Sequence, residues 1–433
     1  MIRIVLALAL LSSGASAQTT AYPDAAASDP VTLGWMHGSP PAPDKVIRFD
    51  GDDFWRFPQL RWSFSHWREL IPSVAVPRGP GPVSKLPRAE RADIDAVTFM
   101  PISGTQPITW ADSLAANYTD GIIVLHGGRI VYERYFGALK PDGQHLAMSV
   151  TKSFFGTIAA TLIAEGKLDP AAKVSFYVPE LTVSGFGDAT VRQLLDMTTG
   201  LAYDEKYDDP NSDIWAYSRS GNFRSRPPGY TGPNSLYDYV KTIAKQGEHG
   251  AGFIYKSPNT EVLGWIIRRV TGQSTTDVLR DRIWSKLGAE QDAYLQVDPA
   301  GTPFVAGGLN LGLRDLARFG EMMRLGGRYN GQQIVPAAVV ADIARGASKV
   351  DFAKATYPTL PGWSYHNQWW VSHNEHGAYM ARGIHGQAIY IDPKAEMVIA
   401  RFASHHIAGN VGIDPTSLPA YHALAKHLMA RRR

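Results

Sequence analysis

Between Asp142 and Glu165 the chain carries a single charged residue, Lys152. Around it Phe154, Ile158 and Leu162 recur at a spacing of four and Gly166 follows as a stop, so the pattern predicts a helix over about 149–165. Its Phe, Ile, Leu and Ala content marks it as a buried helix that other elements must cover. The chain has the material for that: 433 residues, 44% hydrophobic and 19% charged, allow two or three lobes around a large core with a cleft between them. There is no cysteine, which excludes a disulfide scaffold and thiolate chemistry.

The N-terminus reads Met1-Ile2-Arg3, an apolar run Ile4–Leu11, then Ala15-Ser16-Ala17. A charged start, an apolar middle and an A-x-A site form an export signal over 1–17, so the mature protein is expected in the periplasm or outside the cell. The apolar run falls short of the roughly 18–20 residues that span a bilayer, and no membrane span is expected in the mature chain. Formal net charge is +3 with no basic block except Arg431–Arg433, which gives no footprint for nucleic acid.

Residues 18–110 hold 13 of the 29 prolines together with Trp35, Trp55, Trp62, Trp67 and Trp110. They read as an irregular arm docked on the body. Two β-rich runs, 121–126 and 129–135, flank Gly127-Gly128 as a hairpin. Thr190 caps a helix over 191–199 ended by Gly200, and 202–235 is a long loop. Ser257-Pro258 reads as cap and first residue of a helix to Gly272. A further helix spans about 314–325, and strands are expected over 368–371, 387–391 and 396–402. The expected fold is α/β (α+β): an antiparallel sheet with flanking helices, built from 111–170 and 300–433, with an inserted helical lobe over 171–299.

Chemistry concentrates at Ser149-Val150-Thr151-Lys152, the sole Ser-x-x-Lys in the chain. Residues three apart share a helix face, so the Lys152 amine can reach the Ser149 hydroxyl, and the unpaired N–H at the helix start can donate to an oxyanion. Burial lowers a lysine pKa toward the range of a base at neutrality. On these residues alone a lysine snorkelling out of a core helix remains the other reading. His373, Glu375 and His376 match no standard zinc spacing, and neither a metal nor a cofactor is expected.

Ser149-x-x-Lys152, the stretch Thr190 to Gly200, Tyr255-Lys256-Ser257-Pro258-Asn259-Thr260 and Gly383-Ile384-His385-Gly386-Gln387 together resemble the serine β-lactamase and penicillin-binding-protein superfamily. Within it the likeness is greatest to 6-aminohexanoate-dimer hydrolases and related esterases, and Arg61-Trp62-Ser63-Phe64 resembles that branch too. The resemblance implies an acyl-enzyme on Ser149, with Lys152 as general base and Tyr255 as acid/base whose phenol is drawn down by the nearby ammonium. It implies an oxyanion hole from the backbone N–H groups of Ser149 and Ile384, and substrate contacts from Tyr207, Phe223 and His385. The expected substrate is a small-molecule linear amide or short-chain ester. Two departures bear on specificity. Ser257 stands where β-lactamases have Asn, and reads as a helix cap instead. The Lys-Thr-Gly lysine is absent, with His385 as a partial replacement when protonated, which disfavours the alternatives of a β-lactamase or D-alanyl-D-alanine carboxypeptidase. A non-catalytic ligand-binding member of the fold is the third alternative.

Overall fold

The computed structural model describes residues 22–430; the export-signal reading, on 1–17, lies outside them. Its centre is a seven-stranded antiparallel sheet. From edge to edge the strands run Ser364–His366, Trp369–Val371, Tyr379–Gly383, Gln387–Asp392, Met397–Ala403, Thr119–His126 and Arg129–Tyr135. Gly127 and Gly128 close the hairpin at φ 55° and 76°, the left-handed pair that matches strand twist in a two-residue turn.

Sheet alternation divides the core in two. Ile123, Leu125, Val398 and Ala400 face one side, with the helices Val150–Ala164 and Leu313–Arg324, whose Phe154 and Phe319 stack at 3.7 Å. Ile122, Val124, Met397 and Ile399 face the other, against Trp110 of the helix Trp110–Ala116 and Tyr421 and Leu424 of Asp414–Ala430. With both faces covered these strands are almost entirely buried, each large aliphatic side chain contributing about 1.5–3 kcal/mol.

A second sheet orders Ser73–Val76, Ala293–Gln296, Leu309–Leu311 and His145–Leu146. The proline-rich arm thus supplies an edge strand, with Val74 opposite Leu295. Trp62, Phe64 and Trp67 of the arm pack with Leu146 and Met148, immediately before Ser149. Between the sheets' segments lie the helices Val191–Leu195, Asp213–Ser220, Leu236–Thr242, Pro258–Thr271 and Thr275–Arg282. Ala293–Gln296, read from sequence as part of the helical lobe, is a strand because a partner from the arm is available to it.

Thr190 forms a capping box with Gln193, yet its helix stops at Leu195 rather than Thr199, because Met197 turns left-handed at φ 55°. The strands Ser364–His366 and Tyr379–Gly383 had no sequence expectation. The strand expected from Gln368 begins at Trp369, since Asn367 and Gln368 take φ 49° and 65°. That tight turn lies against the serine helix: a Cβ on Gly156 would sit 2.2 Å from Asn367 O, and Ser153 Oγ donates to Gln368 O.

Candidate active site

Ser149 stands at the N-cap of Val150–Ala164, so the hydroxyl and its own N–H sit at the positive end of the helix. Met148 before it is left-handed at φ 49°, a conformation costly for a side chain with a Cβ. It is held by the arm's aromatic cluster on one side and by Thr151, whose N–H and hydroxyl both donate to Met148 O, on the other.

Lys152 Nζ donates to Ser149 Oγ at 2.9 Å and to Ala306 O at 2.7 Å. The lysine is 2% exposed, so it does not snorkel. Burial pulls its pKa down to about 8, the carboxylates of Glu205 and Glu261 working weakly the other way. Ala306 reaches Nζ because Gly264 of the helix Pro258–Thr271 lets Val305 approach; a Cβ there would lie 2.6 Å from its side chain.

Tyr255, just ahead of that helix, has its phenol beside the Ser149 side chain and presents its ring to Lys152 Nζ at 5.1 Å. Its phenol is not drawn down, as expected from the ammonium alone, but pushed well above its ordinary value. Burial penalises the phenolate, and the Glu205 carboxylate adds to that. Tyr255 is therefore a neutral phenol.

Glu205 was not anticipated from the sequence. It accepts from Ser257 N at 2.8 Å, Ser257 Oγ at 2.9 Å and the Tyr207 hydroxyl at 2.5 Å. Ser257 accordingly makes no side-chain cap: it has helical backbone angles and spends its hydroxyl on Glu205. Tyr207 is thereby tied to the wall that carries Tyr255. Only its place two residues before Tyr207 in an aromatic, acidic loop could have flagged the carboxylate. Glu261 was missed as well. It is fully buried, accepts from Tyr217 OH at 2.9 Å and Ala306 N at 3.0 Å, and is pushed up to about 8 by burial.

Across the cleft, the strand Tyr379–Gly383 ends against the segment before Ser149; a Cβ on Gly383 would lie 2.8 Å from Ala147 O and 3.0 Å from Met148 Cβ. Among the described residues no turn, loop or side-chain acceptor takes the N–H of Ser149 or of Ile384, whereas the next N–H, of His385, donates to Ala408 O. Two expectations fail here. His385 is 5% exposed, its Nδ1 is bonded to His405 O at 2.6 Å, and burial drops its pKa to about 4, so it supplies no charge at neutral pH. Phe223 is 4% exposed and stacks on Phe304 at 3.6 Å, which makes it core rather than a substrate-facing flap.

The histidines of the 373–376 segment separate. His373 bonds to Ser364 Oγ at 2.7 Å. Glu375 and His376 meet His422 of the last helix, their ligand atoms within 4.8 Å of one another, the grouping among the described residues that could hold a metal. A surface hollow of about 640 Å³ lined by Asp169, Lys173, Phe176 and Tyr177 shares no residue with the Ser149 cluster, and the chemistry follows the cluster.

A helix-mouth serine bonded to a buried lysine, with a neutral tyrosine beside it, can perform nucleophilic acyl transfer without a bound cofactor. Comparison with known proteins agrees with this architecture. The 6-aminohexanoate-dimer hydrolase of Paenarthrobacter ureafaciens is 35% identical over 385 residues, 88% of this chain and 90% of that one. A Bacillus anthracis structure named for 6-aminohexanoate-dimer hydrolysis superposes with a TM-score of 0.82 at 33% identity, covering 91% of this chain and all of that one. A family VIII carboxylesterase shares the fold alone, with a TM-score of 0.53 and 18% identity over 72% of this chain and 96% of that one. Residues 112–411 match the Beta-lactamase family, and with the fold and its relatives in agreement the chain belongs to that family as a β-lactamase-fold hydrolase related to 6-aminohexanoate-dimer hydrolase.

Proposed function

We propose that the protein is an exported serine amidase that hydrolyses linear amides of the 6-aminohexanoate-oligomer kind, and short esters, through an acyl-enzyme on Ser149. The observation that carries this reading is the 2.9 Å bond between Lys152 Nζ and Ser149 Oγ, made by a lysine held near pKa 8. The free amine of Lys152 takes the Ser149 proton as Oγ adds to the substrate carbonyl. The oxyanion accepts from the N–H groups of Ser149 and Ile384. Tyr255, a neutral phenol, gives its proton to the leaving amine and regains one from the Lys152 ammonium; collapse breaks the C–N bond. Water then attacks the acyl ester with Lys152 again accepting its proton; the C–Oγ bond breaks and the Lys152 ammonium returns that proton to Ser149 Oγ.

The strand edge at Gly383–Gln387 carries no cation, since His385 is neutral, and so offers no fixed charge for a carboxylate set next to the scissile bond as in a β-lactam. The relatives' names favour a linear amide in its place. Intact-mass detection of an adduct across esters, linear amides and penicillins, located by peptide mapping, tests nucleophile and substrate class together: the adduct is expected on Ser149 with esters and amides, and a stable penicillin adduct or none at all overturns the reading. The segment 1–17 supports export; a mature N-terminus at Gln18 is the expected result of N-terminal sequencing.

A further inference from the structure

Arginines in this chain are typically well paired. Arg318, 1% exposed, donates to Asp315 Oδ1, Glu290 Oε1 and Ser84 O, each by 2.7 Å bonds. Arg224 differs. Its side chain is only 24% exposed, yet among the described residues its guanidinium makes no hydrogen bond. The nearest carboxylate, Asp52 Oδ2, stands 3.8 Å away, and Asp52 Oδ1 is engaged by Ser225 N. A guanidinium with one loose ion pair and no hydrogen bond keeps its N–H donors available to a ligand.

Its surroundings say where it points. The guanidinium carbon lies 5.3 Å from the ring of Trp55 and 4.6 Å from that of Trp215. Trp55 is 5.9 Å from His385, the residue after Ile384, and Trp215 is 6.1 Å from Tyr207. Arg224 therefore sits between the oxyanion side of the cleft and the side that carries Tyr207. Stacking on indoles occupies the faces of the guanidinium and leaves its N–H edge, the geometry that grips a carboxylate with two parallel bonds.

We propose that Arg224 is a carboxylate-binding residue of this cleft, and that the preferred substrates are linear amides or esters bearing a carboxylate on the arm that runs past Trp55 and Trp215. This rests on the acyl-transfer reading above and narrows its substrate class. Binding one anionic end gives a flexible linear chain a fixed register, so that its amide lies at Ser149 rather than a few methylenes away.

The test uses two matched pairs of esters. The p-nitrophenyl monoester of glutaric acid is compared with p-nitrophenyl pentanoate, and 4-carboxyphenyl butyrate with phenyl butyrate, so that the charge is placed first on the acyl arm and then on the leaving arm. For at least one pair the wild-type enzyme is expected to favour the anionic member in kcat/KM, through KM. That anionic-to-neutral ratio is expected to fall about tenfold or more in Arg224→Gln, to recover in part in Arg224→Lys, and to shrink as salt is raised. Asp52→Asn, which removes the competing carboxylate, is expected to raise the ratio. The ratio is read within each variant, so a loss of folded enzyme does not imitate the effect. Turnover of both pairs with a ratio that Arg224→Gln leaves unchanged overturns the proposal while leaving acyl transfer intact; no turnover and no adduct with any of the four overturns the acyl-transfer reading itself.

Discussion

Two lysines of this protein are buried to nearly the same degree and held near the same pKa, yet their amines touch different groups. Lys152 and Lys256 are 2% and 4% exposed, and burial lowers each to about 8. Lys152 lies one helical turn from Ser149, with its amine on the hydroxyl. Lys256, next to Tyr255 in sequence, turns the other way and donates to Leu201 O at 2.6 Å, pinning the segment that leads to the helix Asp213–Ser220, a helix where the sequence reads as loop throughout 202–235. A depressed pKa is thus a consequence of burial. What separates the two is the group each amine touches.

The sharpest test of that contrast removes the touched group. Ser149→Ala is expected to lower kcat/KM on p-nitrophenyl butyrate by on the order of 10⁴ or more with an unchanged circular dichroism spectrum. Equal turnover by the variant would leave Lys152 no more catalytic than Lys256. Next, Lys152→Ala should cost on the order of 10² or more in kcat, while Lys256→Met should cost less than about tenfold, both measured on folded protein. Comparable losses in the two would erase the distinction.

The pH dependence separates them again. Because Lys152 must be the free amine, kcat/KM is expected to rise through about pH 8, and the rise should persist in Lys256→Met. Stability moves in the same direction over a higher range. Each lysine has a folded pKa below that of the unfolded chain, so between about pH 8 and roughly 10.4 the unfolded state binds more protons and stability increases with pH. Lys256→Met should flatten part of that increase in thermal unfolding without moving the activity midpoint. The smallest effect expected is from Glu205→Gln. Removing a carboxylate that raises the Lys152 pKa should move the activity midpoint below that of wild type by a fraction of a unit to a unit; a midpoint that stays or rises would mean Glu205 does not act on Lys152.

Much of this site could be read from local pattern. The Ser-x-x-Lys spacing fixes two side chains on one helical face whatever surrounds them, and a helix with one charge in its length has to be buried. Pro258 and Gly272 bracketed the next helix correctly because proline at the first turn and a left-handed glycine at the end act locally. What failed were the charges. His385 is neutral because His405 and the arm's Trp55 and Phe64 enclose it, all far away in sequence. Tyr255 is raised rather than lowered because burial penalises its phenolate, and Glu205, fifty residues earlier, adds to that from the same wall. Phe223 looked like a loop residue and is core because Phe304 was there to stack on.

The chain by itself determined the helix, the position of the serine at its mouth and the amine one turn away, since those follow from backbone geometry over four residues. Only the assembled molecule decided protonation states, the wall that Glu205 organises, and which N–H groups are left free for an oxyanion. Those depend on desolvation and on charges brought within a few ångströms from distant segments, and burial is a property that no short stretch of sequence possesses alone.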